Sequence, residues 1–364
     1  MIASTAIRRP CVLCAGRSLA KGSAYIRNTV SDLPMASARR ESCCYFCIVD
    51  DNYTCHLAAM LASLAENNSG FPVVVLHDGL SDANAGLLAG LAGDLGLDLR
   101  LVENRSVDLS VYGKCSFWPK SVWLKFHLDD FLPAGIERVI YLDADMIVLR
   151  PLDALFEADM GGKALAAVID MQDADAAFKA RLGIPSDGRY YNAGFMLIDV
   201  AAWKGREIGT RAARFARERP EAISYIDQCA FNAACWRDFL ELPATWNQMV
   251  GYVPCDGELP HILHFAALKP WEERKTPGRE FYIHYRNRTP VPFGQSPAGG
   301  PLDRLLEMWD AVESLVPHPV ARMLGESEGH AVRRENRIRL RRWFRDISDV
   351  GRPDPVAEGV ELAG

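Results

Sequence analysis

Asp143 and Asp145 stand one residue apart at the end of the apolar run Val139-Ile140-Tyr141-Leu142, and a second apolar run, Met146-Ile147-Val148-Leu149, follows at once. An unpaired buried carboxylate is costly or titrates away, so charge at the end of a buried strand implies a partner. Two carboxylates so placed suit a hard divalent cation, which takes oxygen ligands and can in turn hold a phosphate. The plainer alternative is a strand-to-turn Asp-x-Asp with no ion. Four other places carry similar double readings. Asp50 and Asn52 follow an apolar run and suit a base or ribose, or simply cap a helix. Tyr191-Asn192-Ala193-Gly194 opens another apolar run: Asn192 suits a hydroxylated substrate and Gly194 a close backbone approach, or the four make a turn. Asp227-Gln228 pairs an acid with an amide at a helix start, where an acid is also favoured by the helix dipole. His264, at the end of a short apolar run, suits a metal, with Lys269 near enough to neutralise phosphate; a lone strand-end histidine is more often no ligand.

Behind these residues lies a regular alternation. Cys43–Val49 reads as a buried parallel strand. A helix follows, with Leu57, Met60, Leu61 and Leu64 on one face, and it stops at Asn67-Asn68-Ser69-Gly70. Val73–Leu76 and Leu97–Val102 are further strands, with a helix capped by Ser81 or Asp82 between them. Residues 118–132 are expected to be helical, ahead of the strand at 138–143. Strands are expected at 164–170, 194–200, 240–242 and 262–265, and helices at 201–219 and 224–236. Strand and helix in alternation predict an α/β fold, a mostly parallel sheet with helices on both faces. A Pro/Gly-rich linker at 286–301 leads to a helix at 302–316 and a basic helix at 331–348.

The chain of 364 residues has a net charge of -6, which argues against nucleic acid as the main partner. That average hides two basic ends: seven basic residues against Asp32 in residues 1–40, and seven arginines against Glu335 in residues 333–345. No run approaches the ~18 apolar residues of a membrane span. Residues 1–42 read as a disordered or transit-like basic tail, or as upstream of a true start at Met35. Ten cysteines without a disulfide pattern fit a reducing, cytoplasmic setting. Cys11-x-x-Cys14 and Cys43-Cys44-x-x-Cys47 invite zinc, but the second group lies on a buried strand, where cysteine acts as a small hydrophobe.

Taken in order, Tyr141-Leu142-Asp143-Ala144-Asp145, Asn192-Ala193-Gly194, Asp227-Gln228 and His264 before Lys269-Pro270-Trp271 resemble the family 8 glycosyltransferases, over about residues 43–275. The resemblance implies the GT-A nucleotide-sugar fold. It implies Asp143, Asp145 and His264 as ligands of Mn²⁺ (or Mg²⁺), Asp50 and Asn52 as uridine contacts with Tyr53 beside the base, and Lys269 on the donor diphosphate. Asn192, Asp227 and Gln228 are similar to residues lining the transferred sugar, and Lys125 stands where the family usually has an arginine. Three positions depart from the pattern: Lys125 itself, Ala267 where a glycine is common, and Cys229 where many members have another acid. The activity implied is transfer of galactose or glucose from a UDP-sugar, with retention, to a saccharide or lipopolysaccharide-type acceptor. Asp227 and Gln228 are the candidates for catalysis at the reacting carbon. The competing reading is a nucleotide-sugar-binding protein that has lost transfer. A nucleotidyltransferase would want a Gly-rich basic loop near the first strand, which Cys47-Ile48-Val49-Asp50-Asp51 does not offer.

Domain limits follow: basic tail 1–42, catalytic domain 43–275, linker and helix 276–330, basic amphipathic helix and tail 331–364. On a helical wheel Val332, Leu340, Trp343, Phe344 and Ile347 share one arc, with most of the arginines off it. Such a helix fits an anionic membrane surface, or packs its apolar arc on the catalytic domain and exposes its arginines.

Overall fold

Seven apolar residues make the strand Cys43–Val49 (β1), and all seven are buried, as a strand covered on both faces requires. This computed structural model describes residues 40–291 and 328–350, except 69, 114–118, 267, 273 and 274. The basic tail, Met35, the Cys11/Cys14 pair, Ala267, most of the Pro/Gly linker and the helix expected at 302–316 lie outside the described residues. β1 is followed by β2 (Val73–His77), β3 (Leu99–Glu103), β4 (Arg138–Leu142), β5 (Met146–Val148), β6 (Leu165–Val168), β7 (Phe195–Asp199), β8 (Phe239–Leu242), β9 (Gln248–Met249) and β10 (Ile262–His264). The helices are α1 (Thr54–Asn67), α2 (Asp82–Leu95), α3 (Ala176–Arg181), α4 (Val200–Gly205), α5 (Ile208–Glu218), α6 (Ile226–Cys235), α7 (Arg279–Arg286) and α8 (Glu328–Val350).

One seven-stranded sheet runs β3-β2-β1-β4-β7-β6-β8. Its β3-β2-β1-β4 half is parallel, as the alternation predicts. β7 runs antiparallel to both β4 and β6. That reversal sets the start of β7 beside the end of β4, where the Asp143 N–H donates to the Gly194 carbonyl at 2.9 Å. The apolar run after Asp145 does not continue the large sheet. It forms β5 in a second, three-stranded sheet, β5-β10-β9, with Met146 paired to His264. Apolar side chains fill both faces of the large sheet, for example Tyr45, Val75 and Ile140 on one and Phe46, Tyr141 and Phe231 on the other.

Three local expectations change. Residues 118–132 do not form an α-helix: Lys120–Asp130 winds as a tighter 3-10 run. At about three residues per turn, positions i and i+3 eclipse, so Trp123 and Phe126 together meet Tyr112. The span 201–219 breaks into α4 and α5 at Glu207, whose φ is 52°. The break lets α5 come close to the 3-10 run: a Cβ on Gly209 would lie 2.0 Å from the Phe126 carbonyl oxygen. α7 was not expected, and it buries Phe281, Tyr282 and Tyr285.

The cysteines of β1 are buried. Burial pushes the Cys44 thiol up to about 12, which favours the small-hydrophobe reading over metal binding. α8 covers its expected span, but its apolar arc is used against the protein. Leu340 is fully buried, and Trp343 and Phe344 pack on the cluster of Ile147, Leu263, Phe265 and Phe281. The lipid-facing reading of that arc is corrected accordingly; Ile347, Arg342 and Arg345 remain exposed.

Candidate active site

The strand-end acids meet residues from three distant parts of the chain. Asp143 Oδ1 accepts from the Tyr141 hydroxyl at 2.7 Å and from Lys125 Nζ at 3.3 Å. His264 Nε2 lies 3.3 Å from Asp145 Oδ1 and 4.0 Å from Asp143 Oδ2. Ligand atoms of Asp143, Asp145 and His264 all fall within 4.8 Å of one another. Backbone bonds lock both acids: Asp143 to Gly194, and the Phe265 N–H to the Asp145 carbonyl at 3.0 Å. β5 pairing with β10 therefore brings His264 to the acids, and the β4–β7 reversal brings Gly194.

Lysines flank the acids on two sides. Lys269 Nζ donates to Asp145 Oδ2 and to the Phe265 carbonyl. Burial alone would push the Asp145 carboxyl up, but Lys269 and His264 outweigh it and hold it far below the usual carboxylate range. Lys125 is buried, 2.7 Å from Asp227 Oδ2, and donates to the Ala193 carbonyl at 3.2 Å. Burial would lower its pKa; Asp143 and Asp227 outweigh that and raise it, so the ammonium is kept. Asp227 is held above the ordinary aspartate value by burial, against the pull of Lys125.

Two observations bear on a cation. Asp145 Oδ1 is buried and makes no hydrogen bond, although His264 Nε2 faces it. Gly194 leaves the space between the ligands open: a Cβ there would lie 2.5 Å from His264 Cε1 and 2.6 Å from Asp143 Oδ2. An orphaned carboxylate oxygen, a second carboxylate and an imidazole around an open space make a donor set that fits Mn²⁺ or Mg²⁺.

The other expected residues fall into two groups. Asn192 and Gln228 hold the Ala193-Gly194 segment beside the acids through hydrogen bonds. Gln228 Oε1 accepts from the Ala193 N–H and from Asn192 Nδ2, each at 3.1 Å, and its Nε2 donates to the Tyr190 hydroxyl at 3.2 Å. Asp50, Asn52 and Tyr53 share the turn that follows β1. Asp50 Oδ1 accepts from the Tyr53 N–H at 3.0 Å, so its capping role is real, and Asn52 is exposed. Tyr53 stands edge-on to Trp271, at 5.9 Å between centroids, in the segment that carries Lys269.

Cys229 is fully buried with Phe178, Ile184 and Tyr190, and its sulfur accepts from the Tyr225 N–H at 3.2 Å. A further acid there would be buried among aromatic rings. Sequence reasoning missed Asp170, which accepts from Asn192 Nδ2 at 3.0 Å. Its signal was present, an acid at the end of an apolar strand. It also missed Asn247, whose Oδ1 meets His264 Nδ1 at 2.9 Å; no periodicity marks that loop residue.

The chain is similar to several known proteins. General stress protein A of Bacillus subtilis (strain 168) is 27% identical over 267 residues, covering 66% of this chain and 91% of its own. The lipopolysaccharide 1,2-glucosyltransferase of Escherichia coli (strain K12) is 22% identical, over 62% of this chain and 71% of its own. Glycosyltransferase GlyF of Streptococcus pneumoniae is 34% identical over 145 residues, about a third of each chain (37% and 34%). Among solved structures, galactosyltransferase LgtC in complex with donor and acceptor sugar analogues superposes with a TM-score of 0.62 at 20% identity, over 69% of this chain and 97% of that one. The architecture is thus the GT-A fold, as expected. Residues 43–275 match the family described as glycosyl transferase family 8, a span that takes in both acids, the histidine and both lysines, and the chain belongs to that family.

Proposed function

We propose that the protein is a metal-dependent retaining glycosyltransferase. It moves a hexose, galactose or glucose, from a UDP-sugar to a saccharide or lipopolysaccharide-type acceptor. The observation that carries this reading is the buried Asp145 Oδ1, without a hydrogen bond and 3.3 Å from His264 Nε2. Asp143, Asp145 and His264 would hold Mn²⁺ or Mg²⁺, which when bound stabilises negative charge on a departing diphosphate. Lys269 adds a fixed positive charge on the same side, kept protonated because Asp145 outweighs the effect of its burial. Tyr53 offers a half-buried ring for the base beside that segment.

Retention needs either a covalent intermediate on the chain or attack from the leaving-group side. Asp227 is ion-paired with Lys125, and the Gln228 oxygen accepts two hydrogen bonds. Both are held in these contacts, and the route proposed is attack from the leaving-group side. In that route Gln228 and Asn192 orient the sugar, and the Lys125–Asp227 ion pair stands beside it.

A panel of UDP-hexoses assayed for UDP release in Mn²⁺ tests the proposal. EDTA and Asp145→Asn are each expected to remove release. Undiminished release in either case would refute the metal role, and UDP-sugar binding with no release from any donor would favour a binding protein. Contact with an anionic membrane is proposed to rest on exposed Arg342, Arg345 and Ile347, and is checked by salt-sensitive cosedimentation with anionic vesicles.

A further inference from the structure

We infer that Asn247 is a positioning residue of the metal site: paired with Asn192, it holds the proton of His264 on Nδ1 and leaves Nε2 for the ion. The inference rests on the metal reading proposed above.

The direction of each hydrogen bond follows from two fixed ends. At one end the backbone N–H of Gly194 donates to Asn192 Oδ1 at 3.0 Å, so that atom must be an oxygen. At the other, Asn192 Nδ2 faces the Asp170 carboxylate at 3.0 Å, so it must be the donor. Asp170 is itself held by the Gln172 N–H at 3.0 Å. Turning the Asn192 amide over would set donor against donor and oxygen against oxygen. With Asn192 fixed, the Asn247 atom 2.9 Å from Asn192 Oδ1 must be the amide nitrogen. The other Asn247 atom, 2.9 Å from His264 Nδ1, is then a carbonyl oxygen that only accepts. The imidazole must donate to it. In the neutral ring the lone pair is therefore on Nε2, the nitrogen that faces Asp143 and Asp145.

Every member of this relay is buried: Asn247 at 0%, His264 at 2%, Asn192 and Asp170 at 5% relative exposure. A ligating histidine whose second nitrogen is held this way has its ring orientation and tautomer set before the ion arrives. The relay also passes through Asn192 to Gln228, so the ligand and the sugar-facing amide share one support.

The test uses full-length, metal-stripped, 15N-labelled protein, at a pH where the ring nitrogen shifts of His264 are those of a neutral imidazole. Long-range proton–nitrogen correlations of the His264 ring, assigned by their loss in His264→Gln, are expected to show the proton on Nδ1. A proton on Nε2 overturns the inference. Asn247→Leu is expected to lose the Nδ1 preference and to bind Mn²⁺, by calorimetry, about tenfold or more weakly. Asn247→Asp keeps an acceptor facing Nδ1 and is expected to restore the tautomer. A folded Leu variant with the native tautomer and native Mn²⁺ affinity overturns the inference. If the Leu variant does not fold, the wild-type spectrum decides. Wild-type protein that takes no Mn²⁺ overturns the metal reading along with this one; protein that takes Mn²⁺ but carries the proton on Nε2 overturns this one alone.

Discussion

The space between Asp143 and His264 exists because residue 194 has no side chain. Gly194→Ala would push a methyl group into both side chains, and the strand pairing at Asp143 leaves little room to yield. Mn²⁺ affinity and UDP release are expected to fall about tenfold or more, ~1.4 kcal/mol, with unchanged far-UV circular dichroism; a native Mn²⁺ titration would contradict this. Lys125 makes a different case. It is the cation between Asp143 and Asp227, and its removal leaves two carboxylates near one another without their counter-charge. Lys125→Met is expected to lower unfolding free energy by about 3–5 kcal/mol, read from the urea midpoint, and to raise the Asp227 pKa further. These residues differ in how far the sequence disclosed them. Acids that end apolar runs are visible because burial makes charge improbable there. Lys125 was named only through the family resemblance, since its role depends on two acids far away in sequence. Asn247 was invisible for the same reason: its partners are Asn192, 55 positions before it, and His264, 17 after.

Where α1 meets α7, His56 stacks on Trp271 at 3.5 Å between centroids and shares a 2.7 Å hydrogen bond with Tyr282. Burial pushes His56 down to about 3. The unfolded chain binds a proton near pH 6.5 and the fold does not, so stability is complete above that pH and falls as pH drops toward about 3. The slope approaches about 1.4 kcal/mol per unit at its steepest. His56→Phe keeps a ring against Trp271 and is expected to flatten the decline of the urea midpoint between pH 6.5 and 4; an unchanged decline would contradict it. α8 acts as a brace. Its Asn336 accepts from the Cys255 N–H at 2.8 Å and donates to the Val250 and Val253 carbonyls, at 3.0 and 2.8 Å. These lie in the loop that follows β9. Asn336→Ala leaves buried backbone groups unpaired and is expected to cost about 1–3 kcal/mol, measured by thermal unfolding. The amphipathic pattern revealed α8 itself but not which surface its apolar arc would meet. Length and periodicity found the long strands and helices. They missed β9, a two-residue strand, and α7, because elements that short carry too few positions for a period to show.

For the molecule as a whole, the metal reading predicts a linkage. An ion that binds the fold and not the unfolded chain stabilises it by about 2.7 kcal/mol at a hundred times its dissociation constant. Mn²⁺ is expected to raise the unfolding temperature of the wild type and to leave that of Asp145→Asn unmoved. Equal shifts in the two proteins would place the ion elsewhere. The small sheet has a further consequence, in time. Asp145 and Lys269 are 124 positions apart, and β10, which brings His264, is only three residues long. A ribosome that has released both acids still has well over a hundred residues to translate before the histidine and lysine can reach them. Until then Asp145 lacks both His264 and Lys269, while Lys125 is already available to Asp143. A chain arrested before Ile262 has the large sheet's residues but lacks His264 and Lys269, so on the metal reading proposed above a prematurely terminated product is expected to release no UDP.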